Sequence, residues 1–216
     1  MEHTAADETI AKKKSLIASE RERPDVVLAR ANFFAEQLQG VPLKDVVVLD
    51  ESYATTQFTR LRGRCPRHER LVASVPHGHW KTLTILAAIT IHGVLAAASI
   101  DAATDGEVFT LFIRDVLVPT LRPGMVVVMD NLPAHKVVAV RRTIEEAKCR
   151  LVYLPPYSPD FSPIENIWSK VKQLLRTIGA RVIPALGDGV TAALSAVTAT
   201  DCHGCFEACG YTLHMG

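Results

Sequence analysis

The hydrophobic and polar positions along the chain separate short, continuous apolar runs from segments with the period of a helix. Residues 46–49, 126–129 and 151–154 are apolar at every position and rich in β-branched side chains. Continuous hydrophobicity, as opposed to alternation, is typical of strands that are covered on both faces of a sheet. We therefore predict three buried strands at these places.

Further strands are predicted in the first half of the chain. Residues 71–75 and 81–91 are apolar and β-branched enough to form strands. The dipeptide His92-Gly93 is typical of a hairpin turn and leads into another strand at 94–100. A hairpin therefore precedes the second of the three buried runs.

Helical periodicity recurs in five segments, and residues that favour helix starts stand before several of them. Pro24 occupies the favoured first position of one helix, and Asp105-Gly106 introduce another. Ser162 is a good N-cap for a helix that begins at Pro163, after a proline-rich segment. The predicted inward-facing stripes are Val27, Ala31, Phe34 and Leu38; Val108, Leu111, Phe112 and Val116; Val137, Val140, Ile144 and Ala147; Ile164, Ile167, Trp168, Val171, Leu175 and Ile178; and Leu186, Val190, Leu194 and Val197.

The order of these elements indicates the fold class. Strands come first and then alternate with helices, which predicts an α/β protein with a mixed sheet and flanking helices. The 216 residues are 48% hydrophobic and 22% charged, as in an ordinary globular domain. Residues 1–23 are polar and charged, so we expect an arm or linker there and a single domain over 24–216.

The sequence contains no predicted membrane span, and its cysteines predict reduced thiols. The longest apolar stretch, 85–100, is interrupted by polar residues and a glycine. The five cysteines are an odd number and follow no signal peptide, so a cytoplasmic protein is expected. Cys202, Cys205 and Cys209, with His203, are too crowded and lack a partner pair, so buried thiols are favoured over zinc.

Carboxylates stand where two predicted strands end and where a helix begins. Asp50 and Asp130 follow apolar runs directly, and Glu165 is the third residue after Ser162. If the two strands are parallel neighbours, their carboxyl ends meet at the edge where open α/β sheets bind ligands. Mg²⁺ prefers oxygen ligands, and two ions about 3.5–4 Å apart can assist an in-line phosphoryl transfer. We therefore predict Asp50, Asp130 and Glu165 as the metal ligands of such a site.

Each acid taken alone also has a structural interpretation. An aspartate at a strand end can cap the following loop, and Glu165 with Ser162 fits a capping box that needs no metal. The combination of three acids, and no single one of them, is what favours phosphoryl transfer.

Positive charge is local, because the formal net charge is only +1. Any contact with DNA must therefore come from patches and not from a basic surface as a whole. The densest patch lies in a polar loop predicted at 52–69 and just beyond it, and it either grips phosphates or is a solvated surface. It consists of Arg60, Arg62, Arg64, Arg67 and Arg70.

Other candidate DNA contacts lie close to the acids. Lys172 and Arg176 share a helix face with Glu165. His135 follows the second acid by five residues, although a histidine in the first turn of a helix is the simpler interpretation. The predicted DNA contacts are Arg64, Arg67, His135, Lys172 and Arg176.

Four motifs of the chain carry a resemblance to a known family. They read VLDES, RCPRHERLVASVPHGHWKTLTILAAI, VVVMDNLPAHK and LPPYSPDFSPIENIWSKVK. Together they resemble the catalytic domain of DDE-type transposases, in the bacterial insertion-sequence branch of the mariner superfamily. The likeness runs from about residue 10 to residue 212. The 34 residues between Asp130 and Glu165 match the usual spacing of that superfamily, whereas SPIENIW departs from the more usual wording around the glutamate.

The resemblance implies a ribonuclease-H-like fold, with Asp50, Asp130 and Glu165 as a triad that binds two Mg²⁺ or Mn²⁺ ions. The implied reaction is strand cleavage at transposon ends, followed by transfer of the freed 3′-hydroxyl into target DNA. The implied partners are double-stranded DNA, with terminal inverted repeats and a TA target site, and either a second copy of the chain or the product of an upstream reading frame. The bacterial cytoplasm, at the nucleoid, is the expected location.

The amino-terminal part of the chain leaves other functions open. Transposases of this type usually begin with helix-turn-helix modules, and few residues precede the linker-like SERERPDV. We therefore expect the second frame of a frameshifted element or a truncated copy. A non-catalytic remnant that binds DNA or dimerises, and so regulates a full-length transposase, is the alternative function. A different α/β metal phosphohydrolase ranks last.

Overall fold

A single mixed sheet contains the strands that the apolar runs predict. The computed structural model describes residues 18–75, 78–102, 105–131 and 138–211. The strands in those ranges are β1 (Val46–Thr55), β2 (Thr82–Thr90), β3 (Gly93–Ile100), β4 (Val126–Met129) and β5 (Arg150–Tyr153). The helices are α1 (Pro24–Asn32), α2 (Gly106–Phe112), α3 (Val138–Glu146), α4 (Pro163–Ile178), α5 (Ile183–Ser195) and α6 (Ala199–Ala208).

The sheet brings the two acid-bearing strands side by side. Its order is β3-β2-β1-β4-β5. Strand β1 runs parallel to β4, and β4 runs parallel to β5, while β2 and β3 form an antiparallel hairpin next to β1. Val48 lies opposite Val128, and Leu49 lies opposite Met129. The mixed α/β sheet and the parallel pairing of β1 with β4 are therefore confirmed.

Both faces of the central strands are buried, which explains their continuous apolar sequence. Successive side chains of a strand point to opposite faces of the sheet. Val46 and Val48 belong to one apolar cluster, which they share with buried side chains of α4, α5 and α6. Val47 and Leu49 belong to a second cluster with side chains of α2 and α3. A strand with polar residues on alternate positions could not have been covered in this way.

Helix α4 is the amphipathic helix predicted after the proline-rich segment. Its predicted stripe is buried except for Ile178, which is 48% exposed because it lies at the open end of the last turn. Gly179 then adopts φ 64°, in the left-handed region that favours glycine, and ends the helix. None of the helices in the described ranges is long and apolar enough to cross a membrane.

The predicted strand at 71–75 is wrong. These residues lie outside the sheet, and Leu71, Val72 and Val75 are exposed. A β-favouring sequence becomes a strand only where a neighbouring strand satisfies its backbone groups, and this segment pairs with neither edge strand of the sheet, β3 or β5. Strand β1 is also longer than predicted, since its pairing with β2 continues to Thr55.

The predicted inward stripe of Val27, Ala31, Phe34 and Leu38 is correct at its end but displaced by one position within α1. Leu38 is buried, and Phe34 is partly buried against the core. Val26 and Phe33 are buried, whereas Val27 is 52% exposed and Ala31 is also exposed. Phe33 stacks on Phe161 with ring centres 5.8 Å apart. Because Val26 lies seven residues earlier, about two helical turns, it shares the face that this aromatic contact selects.

The predicted stripe of α2 is buried at Phe112, and Val116 is partly buried against the second cluster. The helix passes at its end into a π-helical turn, Ile113–Leu117, which adds a residue to the turn and shifts the face that meets the sheet. Leu111, which precedes this turn, is 41% exposed and does not lie on the buried face. The buried positions here are Phe109, Phe112, Ile113 and Leu117.

The two remaining helical patterns agree with the structure where it describes them. Val140 and Ile144 of α3 are buried, while the predicted Val137 lies outside the described residues.

Near the carboxyl-terminal end, Cys202 and Cys209 are buried, and burial raises the pKa of each thiol to about 11. The prediction of buried thiols is confirmed for these two cysteines.

Candidate active site

The first two acids meet at the carboxyl edge of the central strands. Leu49 of β1 and Met129 of β4 lie opposite each other in the parallel pair, and each is followed directly by an acid, Asp50 or Asp130. Since Leu49 points toward the α2 and α3 side, Asp50 points toward the α4 side of the sheet. The strand register alone therefore brings two carboxylates together on the face that helix α4 covers.

The third acid arrives on the first turn of α4. The chain passes from β5 through the proline-rich segment 155–162, and Ser162 and Pro163 begin the helix. The Ser162 side chain makes no capping hydrogen bond, unlike Thr198 of α6, which forms a full capping box with Asp201. The structural interpretation of Glu165 as half of a capping box is therefore wrong.

All three acids line one pocket. It has a volume of about 420 Å³ and lies between the strand ends and the amino-terminal end of α4. The proline-rich segment forms the opposite wall. The lining residues are Asp50, Asp130, Asn131, Leu154, Pro155, Pro156, Tyr157, Ser158, Pro159, Ser162 and Glu165.

The electrostatics of Asp50 reflect this convergence. The pKa of Asp50 is raised to about 7, mainly by burial and to a smaller extent by the nearby charges of Glu165 and Asp130. Hydrogen bonds from the Glu51 backbone and from Trp168 act in the opposite direction but do not compensate. A half-buried cluster of like charges is costly unless a cation or a proton joins it.

The donor chemistry of the pocket fits a divalent metal such as Mg²⁺. In the described ranges, no three His, Cys, Asp or Glu side chains form a group that could hold a metal ion by themselves. Mg²⁺ does not need such a cage, because it is usually held by one or two carboxylates together with water and substrate phosphates. A divalent cation here would also offset the repulsion that raises the pKa of Asp50.

Trp168 is one contributor that sequence reasoning assigned only to the core. Its indole Nε1 donates a hydrogen bond of 2.9 Å to Oδ2 of Asp50, and the residue is 2% exposed. The helical stripe correctly predicted that Trp168 is buried. No signal in the sequence indicated its polar partner, since 118 residues separate the two.

Arg30 of α1 is a second contributor that the sequence did not indicate. Its guanidinium donates to Ser158 Oγ at 2.6 Å and forms a two-pronged pair with Asp160, at 3.0 and 2.7 Å. It also lies 4.3 Å from the ring centre of Phe161, and its side chain is only 11% exposed. Arg21 adds a further bond of 2.8 Å to Asp160. The amino-terminal helix therefore clamps the wall of the pocket from behind.

The charge of Asp160 is stabilised by this clamp. Burial alone would raise its pKa, but the hydrogen bond and the positive charge of Arg30, with a smaller effect of Arg21, hold the pKa below its ordinary value. The segment that carries Ser158 and leads to Glu165 is thus held by ionised groups.

The predicted DNA contacts lie in different surroundings. The Lys172 ammonium is 4.8 Å from the ring centre of Tyr53, and the Arg176 guanidinium carbon is 5.0 Å from that of Phe58. Arg176 also lines a groove of about 560 Å³ between α4 and the arginine-rich segment. The other residues of this groove are Arg60, Leu61, Arg62, Ser169, Gln173 and Thr177.

The remaining predicted contacts are not tested by these distances. Arg64 and Arg67 are exposed in the same arginine-rich segment, but the groove is formed by its earlier part. His135 lies outside the described residues. The metal-binding and DNA-binding roles of all the site residues therefore stay predictions, while the structure places the three acids around one pocket and Arg176 in the groove.

Known proteins resemble the chain in sequence profile and in fold. Residues 45–183 match the family model of the DDE superfamily endonucleases. The Mos1 transposase paired-end complex with the left transposon end superposes with a TM-score of 0.69 at 14% identity, over 92% of this chain and 63% of that chain. The Mos1 strand transfer complex gives 0.68 at 16% identity, over 92% and 62% of the two chains. No curated protein sequence matches the chain.

The extent of the likeness defines what is shared. The chain spans less than two thirds of the transposase chain in those complexes. The isolated catalytic domain of Mos1 mariner transposase superposes with a TM-score of 0.60 at 13% identity, over 91% of this chain and 91% of that domain. The predicted ribonuclease-H-like fold is thereby confirmed. The residues matched by the family model, 45–183, include Asp50, Asp130 and Glu165. The chain belongs to the DDE superfamily of endonucleases.

Proposed function

We propose that this protein is a transposase catalytic domain that cleaves DNA strands at transposon ends and transfers the freed 3′-hydroxyl into target DNA. The observation that carries the proposal is the convergence of Asp50, Asp130 and Glu165 on one pocket. Two of these acids come from neighbouring strand ends and one from a helix start. Family membership supports the same chemistry for this pocket.

The three carboxylates would hold Mg²⁺ or Mn²⁺, and we propose two ions. Mos1 paired-end complexes with Mg and with Mn support this choice of metals. When bound, such ions polarise the phosphodiester and lower the pKa of the attacking water or hydroxyl. Asp50 and Asp130 would bind from the rigid sheet, and Glu165 would bind from α4. Because the attacking group is then a water or a hydroxyl, the reaction would need no nucleophilic serine or cysteine.

The pocket wall has its own contribution to the reaction. Leu154, Pro155 and Ser158 are buried, and the prolines limit the conformations of the segment. The Arg30 clamp holds that segment from its other side. These residues would exclude bulk water from one side of the scissile phosphate and hold the amino-terminal turn of α4 in place.

Double-stranded DNA would lie along the outer face of α4. Lys172, Arg176, Arg60 and Arg62 line this path with donors for phosphate oxygens, and backbone contacts of this kind are independent of sequence. Arg64, Arg67 and His135 extend the proposed set. The terminal inverted repeats and a TA target site are the proposed substrates, with a second copy of the chain or an upstream reading-frame product as the protein partner.

A cleavage assay tests the proposed function. A labelled duplex that ends in the terminal repeat of the element is incubated with Mg²⁺ or Mn²⁺ and the parent protein, Asp130→Asn or Asp188→Asn. Asp188 is exposed on α5, so it serves as a matched control. Cleavage by the parent and by Asp188→Asn, and none by Asp130→Asn, is expected.

Two outcomes would contradict the proposal. Cleavage that survives Asp130→Asn would remove this carboxylate from the reaction. A parent protein that binds the duplex but leaves it intact, with either metal and with the upstream product added, would favour the non-catalytic regulatory remnant.

A further inference from the structure

Trp168 contacts the site without lining it. Its indole Nε1 donates to Oδ2 of Asp50 at 2.9 Å, and only 2% of the residue is exposed. It lies three residues after Glu165 on α4, slightly less than one helical turn. A single helix therefore presents one acid of the pocket and holds another by a hydrogen bond.

A buried indole N–H requires an acceptor, and many acceptors would satisfy that need. A backbone carbonyl would serve a packing role equally well. The acceptor here is instead a side-chain carboxylate of the pocket. An ionised carboxylate has two oxygens with about four acceptor positions. Hydrogen bonds from Trp168 and from the Glu51 backbone can therefore fix the orientation of the group and still leave positions for a further partner.

We propose that Trp168 is a positioning residue that orients the Asp50 carboxylate for metal binding and couples its position to that of Glu165. This inference rests on the proposed function, because it assigns a role to the same site. The sheet contributes Asp50, the helix contributes Glu165, and the Trp168 hydrogen bond ties the two elements together at that point. Hydrogen-bonding partners of metal ligands have this effect in other metal sites.

The Trp168→Phe substitution separates orientation from packing. Phenylalanine keeps an aromatic ring in the core but has no donor for Asp50. Loss of such a partner typically weakens metal binding by about 10–100-fold. We therefore expect Trp168→Phe to bind Mn²⁺ about 10-fold more weakly, or worse, by calorimetric titration of the full chain.

Trp80 offers a matched control. It is the other tryptophan of the chain and is 57% exposed. Trp80→Phe should bind Mn²⁺ as the parent does. A Trp168→Phe protein whose Mn²⁺ affinity lies within about twofold of that of Trp80→Phe would overturn the inference, because that gap is far below the usual effect.

The kinetics give a second readout that simple destabilisation would not produce. Trp168→Phe should lower kcat at saturating DNA and raise the Mn²⁺ concentration needed for half-maximal rate, while KM for the duplex stays unchanged. A rise in KM for the duplex as large as the fall in kcat, without a change in the Mn²⁺ concentration needed for half-maximal rate, would point to a general distortion of the domain and against a positioning role.

A spectroscopic test is independent of whether Trp168→Phe folds. In Trp80→Phe, Trp168 is the single remaining tryptophan, since the chain has two. Mg²⁺ is the probe, because it is not paramagnetic and quenches only through structural change. Mg²⁺ should alter the Trp168 emission, and the added substitution Asp50→Asn should remove that response. Unchanged emission, at a Mg²⁺ concentration that calorimetry shows to saturate the site, would overturn the inference.

Failure of the inference and failure of the proposed function are distinguishable. A parent protein that binds no Mn²⁺ and cleaves no DNA would overturn both. A parent that binds Mn²⁺ and cleaves, beside a Trp168→Phe protein with the same Mn²⁺ affinity and kcat, would overturn the role of Trp168 alone.

Discussion

Asp50→Asn tests whether the ionised carboxylate of Asp50 destabilises the folded protein when no metal is bound. Burial, together with the charges of Glu165 and Asp130, raises the pKa of Asp50 from 3.8 to about 7. Asparagine keeps the shape of the side chain and an oxygen that can accept the Trp168 hydrogen bond, but it cannot ionise. The substitution should therefore remove an unfavourable charge while leaving the packing intact.

The sign of the effect follows from proton binding. Because the carboxyl group binds its proton more tightly in the folded than in the unfolded protein, stability falls as pH rises from 3.8 through the folded pKa of about 7. Each pKa unit corresponds to about 1.36 kcal/mol, so the full cost of ionising Asp50 is about 4 kcal/mol above pH 7. About half of it, roughly 2 kcal/mol, develops between pH 5.5 and pH 8.

Urea denaturation in the presence of a chelator measures this cost. We compare the parent, Asp50→Asn and the exposed control Asp188→Asn at pH 5.5 and pH 8. The free energy of unfolding of Asp50→Asn should gain about 2 kcal/mol on that of the parent between the two pH values, while the Asp188→Asn difference stays constant. Added Mg²⁺ should stabilise the parent and leave Asp50→Asn unchanged.

A difference between Asp50→Asn and the parent that is the same at both pH values would refute the reasoning. It would mean that Asp50 ionises at an ordinary pKa. The burial and the two neighbouring carboxylates would then not act on it as the structure indicates.

The other predictions concern the clamp and the DNA path. Arg30→Ala should lower the free energy of unfolding by about 2 kcal/mol, since Asp160 loses its two-pronged partner; Arg30→Lys should recover only part of this, and unchanged thermal unfolding of Arg30→Ala would contradict the clamp. Lys172→Gln and Arg176→Gln should each reduce the slope of log binding constant against log salt by about 1, measured by fluorescence anisotropy with a labelled duplex. The control Arg142→Gln on α3 should leave the slope unchanged, and equal slopes for all three variants would remove α4 from the DNA path.

Much of the fold was predictable because burial leaves a direct trace in the sequence. Val46 and Val48 pack on one side of the sheet, and Val47 and Leu49 pack on the other, so the run had to be apolar throughout. The acids at the ends of such runs then stand at one edge once the strands are parallel. The first turn of α4 was equally predictable from Ser162 and its neighbouring proline.

The contacts that complete the site were not predictable, because they join residues far apart in the chain. The hydrogen bond from Trp168 to Asp50 spans 118 residues, and that from Arg30 to Asp160 spans 130. Local pattern also failed where tertiary packing decides between equivalent positions. Phe33 selects the inward face of α1, and residues 71–75 pair with neither edge strand of the sheet.

The central claim is that carboxylates from separate elements act as one metal-dependent site, and Glu165→Gln tests it most directly. Glu165 comes from α4 and not from the sheet, and its role depends entirely on the geometry of the pocket. Cleavage of a terminal-repeat duplex in Mg²⁺ should fall by more than about 100-fold in Glu165→Gln, while duplex binding persists. Such a fall exceeds the loss of about 10–100-fold that is typical when a residue that only hydrogen-bonds to a metal ligand is replaced. Cleavage at the parental rate by Glu165→Gln would contradict the claim.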